Sequence, residues 1–309
     1  MLIKEIKEVK AWIPFSTFDN LNKINAYLLS AEETHIVPIL GQSLYNKLQE
    51  KYNAYIEEND PYASLLLLCQ AVIVNYGMHT AAPLLNVTIN QSGGMTVTTN
   101  ENTVAASKDR TDKLLESLEQ QAHQNVERLL IFLENNTSLF VDEEKTEMWK
   151  ESEYYHRLTD SLFFTAKEFN KYVFIGNSRL VFHRLIPAMR LLERTEIRSN
   201  FGDKMVQDLI QRKIDKELSD TDKHLLIHLQ TALALLTLST DPELCKPDSI
   251  HGLKPFDAQT KAASELAQAR KIVLANKDLY PEYPENQETE TKTDECKTNS
   301  FMFRMGGHK

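Results

Sequence analysis

Glycine, cysteine and positive charge are all in short supply in this chain. Nine glycines in 309 residues, beside an abundance of Leu, Glu, Lys and Gln, argue against a turn-rich all-β architecture and for helix. Three cysteines, Cys69, Cys245 and Cys296, stand far apart with no CxxC pair. That rules out a disulfide framework and reads as reduced, incidental thiols in a cytoplasmic compartment. Lys and Arg number 35 against 44 acidic residues, a formal net charge of −9. Broad, tight nucleic-acid binding neutralises phosphates with Lys and Arg, so this balance argues against it. Part of the excess is local, because Glu282, Glu285, Glu288, Glu290, Asp294 and Glu295 crowd one tail. Long apolar runs are missing too: residues 65–74 fall short of the roughly 18 residues a bilayer span needs. Lysines and glutamates interrupt residues 1–12 where a signal peptide would need an unbroken apolar run.

Catalytic signatures are also missing. No GxSxG, P-loop, GxGxxG or HExxH pattern occurs, and Gly93-Gly94 lack the lysine and following helix of a phosphate loop. His224 and His228 stand at i and i+4, a metal-compatible spacing, yet no third ligand is apparent. His35, His79, His123 and His183 read as packing or surface residues. No catalytic residue, metal ligand or cofactor is assigned, and the chain is read as a non-enzyme.

What is present is mostly helical periodicity. Leu2, Ile3, Ile6 and Val9 open a short amphipathic helix that Pro14 breaks. A run over 22–40 ends at Gly41 as a C-cap, and 43–56 resumes through Leu44, Leu48, Tyr52 and Ile56. Asp60-Pro61 is a helix-start signal, opening a helix apolar nearly all round and therefore central to its bundle. Leu115, Leu118, Ala122, Val126, Leu129, Leu130 and Leu133 trace a long amphipathic helix within 107–135.

One stretch breaks the pattern. Over 84–99, Val87, Ile89, Met95 and Val97 alternate with Thr88, Asn90, Thr96 and Thr98, the period of a strand with one apolar face. Gly93 and Gly94 between the arms supply the positive φ angles of a tight turn. An isolated hairpin is marginal in water, so this one is expected to meet a partner.

A series of landmarks occurs twice. His35-Ile36-Val37-Pro38 corresponds to Phe182 through Pro187, 43–52 to 204–214, and Leu68-Cys69-Gln70-Ala71 to His228-Leu229-Gln230-Thr231. Ala81-Ala82-Pro83 then corresponds to Thr240-Asp241-Pro242, and 107–135 to 257–276. Pro38 and Pro187 lie 149 positions apart, Pro83 and Pro242 159, a difference assigned to a longer loop in the second copy. The expected architecture is therefore mainly α: two tandem helical bundles related by internal duplication, over 1–136 and 158–280, joined by a linker at 137–157. Only the first bundle carries a protruding hairpin. Residues 281–309 form an acidic flexible tail that ends in Phe301, Met302 and Phe303, read as a docking segment.

Residues 31–48 combine an Ala31-Glu32 helix, an Ile36-Val37-Pro38-Ile39-Leu40-Gly41 bend and a helix carrying Leu44-Tyr45 and Leu48. This segment resembles an uncharacterised family of phages and prophages of gut Bacteroidetes bacteria, with Phe182 to Pro187 as its second-half counterpart. The helical organisation is in turn similar to the head–tail connector (adaptor) proteins of tailed phages. That resemblance implies a structural virion protein of the neck, assembled in the host cytoplasm into a ring, twelve-fold in that class. Its partners would be copies of itself, the portal and tail or further neck proteins, with DNA passing through without sequence-specific binding and no membrane. Val87, Ile89, Gly93, Gly94, Met95 and Val97, with Phe301, Met302 and Phe303, are the interface residues this reading names. The alternative is a helical protein-binding module of the bacterial cytoplasm, and a third reading is an enzyme with a site between the two halves.

Overall fold

The computed structural model describes residues 1–14, 19–85, 107–155 and 158–284, and the backbone of 87–89 and 95–97. The chain is mainly helical. Its first half runs α1 (Ile6–Trp12), α2 (Asn25–Ala31), a π-helical stretch Glu32–Ile36, α3 (Val37–Leu40), α4 (Gln42–Ala54) and α5 (Pro61–Leu85). Strands β1 (Val87–Ile89) and β2 (Met95–Val97) follow, then α6 (Lys108–Asn136). The second half runs α7 (Ala166–Phe169), α8 (Arg179–Leu192), a π-helical stretch Glu193–Arg198, α9 (Ser199–Phe201), α10 (Asp203–Asp215), α11 (Asp220–Thr240) and α12 (Pro255–Ala275).

Each half is built on one apolar helix. α5 packs along α6 and α2, and Leu65, Cys69, Val72, Ile73 and Val74 are all buried. Gly77 lets α5 approach α2, since a Cβ there would come within 2.8 Å of Leu28. By length and composition alone α5 could cross a bilayer, which corrects the expectation that no segment is long and apolar enough. Here it fills the role of a core helix instead. α11 plays the same part against α12 and α8, opened by a capping box between Ser219 and Asp222.

Two buried clusters result, one spanning Leu2 to Trp149 and the other Leu158 to Tyr280. Residues 137–157, expected as a linker, belong largely to the first. Phe140, Met148 and Trp149 are buried there, and the Trp149 indole donates to Ile39 O at 2.9 Å. The segment reads as charged because Asp142, Glu143, Glu144 and Glu147 separate Phe140 from Met148 and Trp149. The expected tail also begins too early: Tyr283 lies against Phe201, and Glu282 pairs with Lys204.

The landmark prolines are not equivalent. Pro187 lies inside α8, before its π-helical stretch, whereas Pro38 opens α3, after the corresponding one. What recurs is the glutamate that starts each π-helical stretch, Glu32 and Glu193, and the positive-φ glycine that ends each bent rod, Gly41 and Gly202. Both pairs lie 161 positions apart. No long loop separates the two registers at this point.

β1 and β2 pair antiparallel, with Val87 opposite Val97, Thr88 opposite Thr96 and Ile89 opposite Met95. Among the described residues the sheet has these two strands, and its main neighbour is the end of α5. Leu84 and Leu85, expected in the hairpin, are the last residues of α5.

Candidate functional site

The most buried carboxylates serve the fold. Glu32 is fully buried and accepts from Leu2 N at 2.8 Å and from the Tyr45 hydroxyl at 2.5 Å, with the Met1 ammonium 3.6 Å away. Glu193 accepts from Leu162 N at 2.9 Å, Ser161 Oγ at 2.6 Å and the Arg198 guanidinium at 2.8 and 3.0 Å. Each clamps the segment that begins its half. Glu193 thereby accepts four hydrogen bonds, two on each oxygen, and Glu32 accepts one on each, both from groups of the fold itself. Glu32 stands within the segment that carries the resemblance, but nothing in the sequence marks it as buried.

His35, His123, His183 and His228 also find ordinary partners. His228 Nδ1 lies 2.6 Å from Glu265 Oε2, and His183 Nε2 lies 2.8 Å from Glu153 O. His35 stacks on Tyr76 at 3.7 Å, and Tyr76 meets His123 edge-on at 6.0 Å. Burial and the neighbouring His123 hold the His35 pKa below its ordinary value. Among the described residues no three His, Cys, Asp or Glu side chains are grouped to hold a metal ion. Cys69 and Cys245 are buried free thiols, and burial pushes both upward in pKa.

Of the interface residues named from the sequence, Val87, Ile89, Met95 and Val97 fall on the two paired strands. Gly93 and Gly94 lie outside the described residues, as do Phe301, Met302 and Phe303.

A feature the sequence did not reveal lies where the halves meet. α6 and α8 touch through Glu127, which accepts from the hydroxyl of Ser178 at 2.5 Å and the backbone N–H of Arg179 and Leu180 at 3.0 and 2.9 Å. The Arg179 guanidinium pairs with Glu134 at 2.6 Å. Beside this joint opens a cleft of about 980 Å³, walled by the end of α6, the 147–155 segment, α7 and the end of α10. Five lysines line it, Lys150, Lys167, Lys171, Lys213 and Lys216, together with Glu134, Glu147 and Glu168.

Those glutamates are already committed: Glu134 to Arg179, Glu147 to Lys150 at 2.6 Å, Glu168 to Lys213 at 2.6 Å. Lys213 is largely buried, donates to Leu162 O at 2.6 Å and sits 3.8 Å over the Phe164 ring. Burial lowers its pKa despite Glu168, and the nearby charge of Lys171 pushes the same way. Lys167, Lys171 and Lys216 are exposed and have no ion pair among the described residues. In a chain of net charge −9 this is a local surplus of positive charge, suited to an anion. Periodicity could not have found it, because the lysines come from three separate segments.

Residues 36–157 match a family of unknown function (DUF6712). The match is less than half of the chain, encloses the ladder and ends where the second core begins. No curated protein matches the chain, and no solved structure does either.

Proposed function

We propose that the chain is a non-catalytic structural protein of a phage particle, a head–tail connector subunit that acts through assembly. The observation that carries the reading is the ladder Val87–Ile89/Met95–Val97, a sheet in which, among the described residues, no other strand covers the outer edge of either strand. Open edges pair with strands of a neighbouring chain, and a head-to-tail contact repeated about an axis closes into a ring. The resemblance of residues 31–48 supports the same reading. Its partners are further copies of the chain, the portal and tail proteins, and DNA passing through without sequence readout. Phe301, Met302 and Phe303 are assigned as a docking segment, and the place of action is the neck of the virion. We further infer that the halves descend from one duplicated unit, a reading supported by the paired Glu32/Glu193, Gly41/Gly202 and Gln70/Gln230 stations.

The test is the particle mass of the purified full chain, alone and mixed with its portal, with negative-stain images of the same samples. Rings are expected, and deleting residues 90–95 is expected to abolish them while helicity stays unchanged. A single-copy mass under every condition, with the protein absent from purified virions, would point to a cytoplasmic binding module instead.

A further inference from the structure

We propose that the lysine-lined cleft between the halves is the seat of this chain's own acidic segment, residues 285–295. Three observations carry this: surplus charge, a strained lysine and a tether of the right length. Lys167, Lys171 and Lys216 face one cleft with no carboxylate paired to them among the described residues. Gathering like charges in this way is unfavourable unless an anion completes the site. Lys216 is held at φ 62° as the left-handed cap of α10, its N–H and that of Glu217 bonded back to Lys213 O and Arg212 O. A glycine would take that conformation without the roughly 1–2 kcal/mol steric penalty of a side chain. Keeping a lysine there aims a cation at the cleft rim in spite of that cost.

The tether follows from where the described chain runs. Pro284 lies beside Gly202, Tyr283 beside Phe201, and Glu282 pairs with Lys204, all at the start of α10. α10 then leads from that point to Lys213 and Lys216, 13 residues that span about 20 Å at 1.5 Å each. The 11 residues of 285–295 extend to about 36 Å, enough to reach the cleft with slack. Glu285, Glu288, Glu290, Asp294 and Glu295 stand there against a single Lys292. Covalent tethering presents these carboxylates together at an effective concentration in the millimolar range. Seated in the cleft, the segment neutralises the lysines and keeps other polyanions out.

The full-length protein supplies its own probes. Cys69 and Cys245 are buried, so a fluorescent acceptor can be placed on Cys296, directly after the acidic segment. Trp12→Phe leaves Trp149, a cleft residue, as the sole tryptophan donor. Energy transfer from Trp149 to the label is expected to be high in dilute buffer and to fall at least twofold by about 0.5 M salt. Lys167→Glu/Lys171→Glu/Lys216→Glu is expected to lower it equally, and adding Glu285→Lys/Glu288→Lys/Glu290→Lys to restore it. The tail substitutions alone, outside the described residues, are a second variant that must also lower it. Transfer unmoved by either set of substitutions overturns the proposal. So does transfer that rises with protein concentration, which places the segment in a second copy. A labelled oligonucleotide held by the same three lysines, equally well with and without the tail carboxylates, overturns it too by assigning the cleft to nucleic acid.

Discussion

Gln70 and Gln230 make the same pair of hydrogen bonds in the two halves. The Gln70 amide donates to Leu2 O at 2.8 Å and Glu8 Oε1 at 2.9 Å; the Gln230 amide donates to Leu162 O at 2.7 Å and Glu168 Oε1 at 2.8 Å. Each ties a central helix to the segment that opens its half. Both amides are buried. Gln70→Leu leaves Leu2 O without this donor, although Tyr52 still donates to Glu8, and is expected to cost about 1–3 kcal/mol. In Gln230→Leu the Lys213 ammonium still serves both Leu162 O and Glu168, so urea unfolding is expected to show a smaller loss on this account than for Gln70→Leu.

Acid should weaken the first half through two groups. Burial raises the Glu8 carboxyl, but Tyr52, the backbone N–H of Glu5 and Lys4, and Gln70 outweigh it and hold the pKa below 4.5. A depressed carboxylate contributes stability above its unfolded pKa, lost as pH falls through the folded one. His35 is likewise depressed below 6.5, first by burial and then by His123. The unfolded chain takes up that proton first, so stability declines as pH drops below 6.5 toward the folded value. Melting temperatures across this range should fall for the wild type and fall less for His35→Phe, which keeps the stack on Tyr76. Identical slopes would remove His35 from the explanation.

How much of this was legible can be judged residue by residue. Asp60-Pro61, Ser219 to Asp222 and the leucine spacing within α6 are local signals, and local signals set helix starts and faces. The Pro38/Pro187 match failed because a proline inside a helix and one at its first turn look alike in sequence, while the π-helical stretches leave no periodic trace. Residues 137–157 read as a linker in sequence, yet three anchors, Phe140, Met148 and Trp149, are enough to hold a charged segment on a core. The lysine cleft was invisible, since it exists only once α7, α10 and the 147–155 segment are brought together.

Gly41 and Gly202 should not tolerate side chains. Their φ angles are 75° and 88°, and a Cβ would lie 3.3 Å from Ser152 in one case and 3.0 Å from Pro284 and 3.1 Å from Glu282 O in the other. Gly41→Ala and Gly202→Ala are each expected to cost about 1–3 kcal/mol in backbone strain alone. Gly202→Ala should do more, because its contacts with Pro284 Cδ and Glu282 O are shorter and the 282–284 segment must lift away from α10. Thermal melts supply the first comparison. Faster proteolysis after residue 280 in Gly202→Ala, but not in Gly41→Ala, supplies the second.

Glu127 offers the sharpest test of how the halves are joined. Its carboxylate comes from α6 in the first half and satisfies the first N–H groups of α8 in the second, while Ser178 both donates to it and accepts from Val181 N at 3.1 Å. A negative charge at a helix N-terminus is favourable in itself, and here the same bonds also hold two cores together. Glu127→Ala should therefore loosen the start of α8 by about 1–2 kcal/mol, on the order of tenfold faster amide exchange at 179–181. Adding Glu134→Ala removes the ion pair to Arg179 and leaves little of the joint. The double variant is expected to unfold in two resolved transitions where the wild type shows one. A single transition at lowered temperature would mean instead that packing of α6 on α8 couples the halves without the carboxylates.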